Sequence, residues 1–129
     1  MAWHVVIAGG GFGGLYAART LEKVLPPHSA RLTLVNDVNF MLYTPLLPGA
    51  AAGTLEPRHV VVPLREQLRR TDLRLGTVLS GHPGDRCLRV RSHEGHEEDL
   101  HYDQLVIALG SVSRTLPIPG LAEHGRGFK

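Results

Sequence analysis

Short apolar runs separated by glycine, proline and polar clusters set the rhythm of this chain. His4 to Ala8 (HVVIA) is a β-branched run with apolar residues on both alternations, which predicts a parallel strand buried on both faces. Glycine ends it. From Gly13 onward Leu15, Ala18, Leu21, Val24 and Leu25 recur at helical spacing, and Pro26-Pro27 closes that helix after about three turns. Arg31 to Val35 (RLTLV) predicts a second strand, so the opening reads strand, tight turn, helix, strand. That unit lays two parallel strands side by side through a right-handed crossover.

Beyond Asn36-Asp37 the pattern changes. NFMLYTPLLPGAAAGTLEP is punctuated by Pro and Gly and predicts a loop longer than those usual in compact domains; its apolar content argues for a function and against disorder. A short helix is expected from Pro63 to Arg70, with Leu64 and Leu68 facing inward. Leu73 to Leu79, Arg86 to Arg91 and Glu98 to Tyr102 are separated by the turn signals Gly84-Asp85 and Gly95, and predict an antiparallel meander with one wet face. Gln104 to Leu109 (QLVIAL) is a second continuous apolar strand, halted by Gly110, and Leu116 to Gly120 is an extended exit. The fold class is α/β: a Rossmann-like, three-layer ββα arrangement of a parallel sheet with a meander.

Composition narrows this reading. The chain has 129 residues, 43% hydrophobic and 20% charged, which suits one compact domain with a real core. A net charge of +2 with scattered arginines, and aromatics at 5%, give neither the basic stripe nor the stacking rings that nucleic-acid binding needs. The lone Cys87 cannot form an internal disulfide, and the chain opens on a strand instead of a secretory signal, which favours the cytoplasm. The longest apolar region, Met41 to Gly53, is broken by Pro45, Pro48 and Gly49 and is too short to span a bilayer.

The candidate chemistry sits at the first strand-to-helix corner. Gly9, Gly11 and Gly14 satisfy G-x-G-x-x-G with a strand before and a helix after. Gly9 permits the sharp turn, Gly11 lets the backbone approach a pyrophosphate, and Gly14 allows close helix-to-strand packing. The amides of Phe12 to Leu15, Gly13 among them, are expected to face the phosphates at the positive end of the helix. The bland alternative is a turn that merely joins two elements. An acidic residue at the end of the second strand ordinarily accepts the ribose hydroxyls; here Asn36 stands there, followed by Asp37, and the two share that candidacy. A simple nicotinamide-binding half would continue with another helical crossover, whereas this chain inserts a loop, a short helix and a meander, an order that favours a flavin dinucleotide.

VVIAGGGFGGLYAARTLEK, NFMLYTPLLPGAAAGTLEPRHVVVPLR and YDQLVIALGS followed by LPIPG resemble, in order, the amino-terminal FAD-binding part of type II NADH:quinone oxidoreductases. These are FAD-dependent flavoproteins of the pyridine nucleotide-disulfide oxidoreductase superfamily. The resemblance implies that residues 1–129 are the N-terminal portion of an FAD-binding domain, with an inserted NADH domain and a C-terminal region lying beyond Gly125 to Lys129. It implies that Gly9 to Gly14 hold the pyrophosphate, Asn36 or Asp37 the ribose, and the backbone at Val78 the adenine. Thr44, Pro45 and Leu46 would lie near the isoalloxazine, and Ala108, Leu109 and Gly110 near the flavin's linker. The implied enzyme oxidises NAD(P)H and passes electrons through FAD to a quinone-like acceptor, touching the inner face of the cell membrane peripherally through its C-terminal region, and the family permits a homodimer. The segment alone is not expected to turn over, and the resemblance marks no catalytic residue in it.

Two other readings stay open: a sulfide:quinone oxidoreductase-like flavoprotein, which needs reactive cysteines, and a nucleotide-binding module without catalysis. His93, His96 and His101 lack the paired spacing of a zinc site and read as a solvated hairpin, so no metal is expected. Cys87 has no partner for C-x4-C dithiol chemistry.

Overall fold

The computed structural model describes residues 2–126. Strand β1 (Trp3–Ala8) leads into helix α1 (Phe12–Val24) and strand β2 (Ala30–Asn36), and β1 and β2 pair in parallel from Trp3↔Ala30 to Ala8↔Val35. Leu25 leaves the helix in an extended conformation, as Pro26 behind it requires. Strands β3 (Phe40–Leu42), β4 (Val61–Pro63), β5 (Thr71–His82), β6 (Cys87–Ser92), β7 (Glu97–His101) and β8 (Gln104–Ile107) follow, with helices α2 (Leu47–Ala51), α3 (Leu64–Gln67) and α4 (Leu121–His124).

The main sheet has the order β7-β6-β5-β2-β1-β8, with β8 parallel to β1 and β5 parallel to β2. Period-two alternation splits the buried strands between two cores. Val6, Ala8 and Val35 face Leu88, Val90 and Tyr102 of the meander. Ile7 and Leu34 face Leu15, Ala18, Met41 and Leu64 on the helical side. Meander, parallel sheet and helices are thus the three layers, and a continuous apolar run is what a strand in the middle layer needs.

Three expectations change. The strand expected over Leu73 to Leu79 is longer and belongs to two pairings: residues 71–75 run parallel to β2, and from Gly76 onward it runs antiparallel to β6. A Cβ at Gly76 would sit 2.7 Å from the Arg91 carbonyl oxygen, so the changeover needs a glycine. The expected long loop is ordered instead: β3 and β4 form an antiparallel pair, Met41 is buried beneath it, and α2 lies between them. The helix expected over Pro63 to Arg70 is a single turn, because Leu68 is already extended.

A reciprocal clamp delivers the chain from α3 to β5. The Glu22 carboxylate on α1 accepts the N–H groups of Arg69, Arg70 and Thr71 and the Thr71 hydroxyl, the last at 2.6 Å. In return the Arg70 guanidinium donates to the carbonyls of Leu21, Glu22 and Leu25, closing the C-terminus of α1. Burial works to raise the Glu22 pKa, but the Thr71 hydroxyl and the three amides outweigh it and hold the carboxyl below its ordinary value.

Candidate functional site

The site grows from the corner between β1 and α1. Gly9 has φ +104°, and a Cβ there would meet the Ala108 carbonyl oxygen at 2.1 Å, where the end of β8 passes. A Cβ at Gly14 would lie 1.7 Å from the Gly9 carbonyl oxygen, so this glycine lets the helix pack onto the turn itself. Gly11 differs from both: a Cβ there meets nothing within 4 Å. The protein's own packing does not demand its smallness, whereas a ligand approaching the backbone would.

Leu15 N–H donates to the Gly11 carbonyl at 2.9 Å and closes the first helical turn. The sequence reading included Leu15 among the open amides; the structure shifts that set back by one, to Gly11, Phe12, Gly13 and Gly14, which have no acceptor among the described residues. No side chain caps α1, and its first turn holds no acidic residue, so its positive end is uncompensated.

Two clefts adjoin this corner. The wider, of about 480 Å³, is lined by Gly11, Phe12, Gly13, Thr44, Ala108 and Gly110 with the buried Met41 at its side. The narrower, of about 150 Å³, is lined by Gly9, Thr77, Val78 and Leu109. Asn36 and Asp37 border both. The structure therefore brings eleven of the sequence-derived candidates to these two adjoining clefts, Val78 in the narrower and Thr44 in the wider. Gly14 lies in the packing beneath, and Pro45 and Leu46 share the exposed 3-10 turn Thr44–Leu46 without lining either cleft.

Asn36 is committed to the protein. Its Oδ1 accepts the Gly10 N–H at 2.8 Å and its Nδ2 donates to the Val38 carbonyl at 2.8 Å, tying the glycine turn to the end of β2. That leaves the exposed Asp37 carboxylate as the acidic acceptor beside the turn. Several neighbours were not apparent from the sequence. Phe12, which lines the wider cleft, meets Tyr43 edge to face with ring centroids 5.3 Å apart. His93, read as part of a solvated hairpin, has Nε2 2.6 Å from the Asp37 carbonyl oxygen. Neither contact could be read from spacing, since each joins segments whose approach depends on the sheet order. Cys87 is buried on β6, and desolvation first, then Asp99, push its thiol above the ordinary value. Among the described residues no group of three or more His, Cys, Asp or Glu is arranged to hold a metal ion.

A parallel sheet with a glycine corner after its first strand, covered on the opposite face by a meander, is the Rossmann-like architecture of FAD-binding folds. The chain belongs to the pyridine nucleotide-disulphide oxidoreductase family, whose sequence profile matches residues 3–129. It is 33% identical to the external alternative NAD(P)H-ubiquinone oxidoreductase B3 of Arabidopsis thaliana mitochondria, over 93% of this chain and 22% of that protein. It is 32% identical to the external NADH-ubiquinone oxidoreductase 2 of Saccharomyces cerevisiae mitochondria, over 98% of this chain and 24% of that protein. Among solved structures, the sulfide:quinone oxidoreductase of Aquifex aeolicus matches 95% of this chain and 27% of its own at TM-score 0.78 and 28% identity. NDH2 of Plasmodium falciparum matches 95% of this chain and 25% of its own at TM-score 0.84 and 24% identity, a likeness of fold. The chain thus spans about a quarter of the length of these relatives.

Proposed function

We propose that this chain is the FAD-binding segment of an oxidoreductase that takes electrons from NAD(P)H and passes them through FAD to a quinone-like acceptor. The observation that carries the reading is the corner at Gly11 to Gly14: four amides without acceptors among the described residues, three of them on residues that line the wider cleft, where the missing Cβ of Gly11 leaves space for a ligand. An anionic diphosphate supplies the acceptors that these donors lack. The amides of Gly11 to Gly14 would hold the diphosphate, Asp37 the ribose hydroxyls and the narrow cleft at Val78 the adenine. Thr44, with Pro45 and Leu46 behind it, and Ala108 to Gly110 would wall the flavin end.

When bound, FAD supplies the two-electron chemistry; the protein contributes binding, orientation and shielding. Phe12, braced edge to face by Tyr43, would place an apolar ring beside the diphosphate amides. A quinone-like acceptor is lipid-soluble, so peripheral contact of the whole protein with a membrane, at its inner face, goes with this reading. No helix among the described residues is long and apolar enough to cross one.

The likeness to the Aquifex sulfide:quinone oxidoreductase favours a second reading in which the donor is sulfide. It requires reactive cysteines, and Cys87, buried and with its thiol pushed up, is not one of them. Purified protein separates these readings. Flavin absorbance that survives gel filtration and bleaches on NADH addition supports the first, and bleaching by sulfide alone supports the second. Gly11→Val is expected to abolish flavin retention while far-UV circular dichroism is unchanged; full retention in that variant removes the assigned diphosphate site.

A further inference from the structure

We infer that His93 is the positioning residue for Asp37, holding the turn that presents its carboxylate to the ribose of a bound adenine nucleotide. The inference rests on the nucleotide reading above and adds to it a residue from the far side of the sheet. Asp37 begins the turn between β2 and β3, and every anchor of that turn is accounted for. Asn36 grips it from inside through Gly10 N–H and the Val38 carbonyl, each at 2.8 Å. The Asn39 carbonyl accepts Leu64 N–H at 2.9 Å, and the Asp37 carbonyl faces His93 Nε2 at 2.6 Å. A carbonyl oxygen only accepts, so Nε2 carries the proton and donates.

With the carbonyls of residues 37, 38 and 39 all engaged, the carboxylate of Asp37 is left with no hydrogen-bond or ion-pair partner among the described residues, at the border of both clefts. A carboxylate reads two vicinal hydroxyls only when held within about 0.5 Å of the productive position, and an exposed turn does not hold it unaided. His93 can serve as the outer anchor because its own hairpin is held by three hydrogen bonds. Gly95, at φ +89°, lets Gly95 N–H reach the Ser92 carbonyl at 3.0 Å, while Ser92 N–H reaches the His96 carbonyl at 2.8 Å and the Ser92 hydroxyl accepts His96 N–H at 3.2 Å. The hairpin extends the β5–β6 ladder from the pair Gly76↔Ser92, so its position is tied to the strand that lines the narrow cleft.

The test is calorimetric titration of the flavin-depleted, full-length protein with ADP and with 2′,3′-dideoxy-ADP. His93→Phe keeps a ring but lacks the donor and is expected to weaken ADP about three- to tenfold, in line with one lost hydrogen bond, while leaving dideoxy-ADP unchanged. His93→Gln sets an amide nitrogen where Nε2 stood and is expected to restore ADP binding to within about twofold. Equal weakening of both probes would make His93 a general stabiliser of the fold and overturn the assignment, as would unaltered ADP binding in His93→Phe. If the unsubstituted protein binds neither ADP nor FAD, the nucleotide reading itself fails and this assignment falls with it.

Discussion

At the scale of single residues, the glycine corner separates what folding requires from what the proposed diphosphate site requires. Gly14→Ala puts a methyl group 1.7 Å from the Gly9 carbonyl oxygen, and the helix can relieve it only by withdrawing from the turn. Such overpacking ordinarily costs about 1–3 kcal/mol, and chemical denaturation is expected to show a loss at or above that range. Gly11→Ala meets nothing within 4 Å, so its denaturation midpoint is expected to stay within about 0.5 kcal/mol of the parent while flavin retention falls. The folding roles of Gly9 and Gly14 were legible in the spacing of the glycines, because the tight turn and the close packing are geometric consequences of a strand running into a helix. The role of Asn36 was not: its amide bonds to Gly10 and Val38, and no sequence interval encodes that pair of contacts. Asn36→Asp keeps the acceptor for Gly10 but sets an oxygen against the Val38 carbonyl, two acceptors face to face. We expect about 1–3 kcal/mol of destabilisation in urea titrations, even though an acidic residue at this strand end is common in dinucleotide folds.

At the scale of elements, the connection from α3 into β5 depends on a carboxylate. Glu22 satisfies three consecutive amides and a hydroxyl, and Arg70 caps α1 in exchange, so the entry to β5 and the end of α1 are fixed together. Because the Glu22 pKa is lowered in the folded state, its contribution to stability is fully present above the unfolded value near 4.5 and is lost as pH falls through the lowered folded value. Glu22→Gln keeps one acceptor, loses the charge, and is expected to cost about 1–3 kcal/mol at pH 7; below pH 4 the gap between variant and parent should narrow. A gap that is constant from pH 3 to 7 would show that the charge plays no part. Elements whose pattern is local were readable: β1, α1, β2 and β8 appear where continuous apolar runs or helical spacing put them, although β8 ends at Ile107, two residues before the predicted Leu109. The β3–β4 pair was not, since three-residue strands with a proline at one end carry too little alternation to register, and they form because Met41 has the helical core to pack into. The double pairing of β5 was likewise hidden. Asp72 and Arg74 make its first half look like a half-wet meander strand, and only the sheet order shows those residues running parallel to β2.

At the scale of the whole molecule, the distribution of apolar surface states what this segment needs around it. Strand β8 is an edge of the main sheet, and it and the chain just beyond it carry Ile107 at 72% and Leu109 at 59% exposure, an unblunted apolar edge of the kind that invites pairing with another strand. Beside it, Trp3, Val5, Leu21, Leu25, Leu105 and Val106 line a mainly apolar groove of about 540 Å³ on the helical side of the sheet. Domains rarely leave an edge and a groove of this kind open together. The chain spans about a quarter of its relatives, so the segment expressed alone exposes surface that its two internal cores do not use. Expressed alone, it is expected to enhance the fluorescence of a hydrophobic dye and to self-associate at micromolar concentration in analytical ultracentrifugation. Ile107→Lys places a charge on the edge and should reduce association without shifting the denaturation midpoint by more than about 0.5 kcal/mol, because that side chain contributes little to the core. A segment that sediments as a monomer and leaves the dye dark would mean that the edge is already protected.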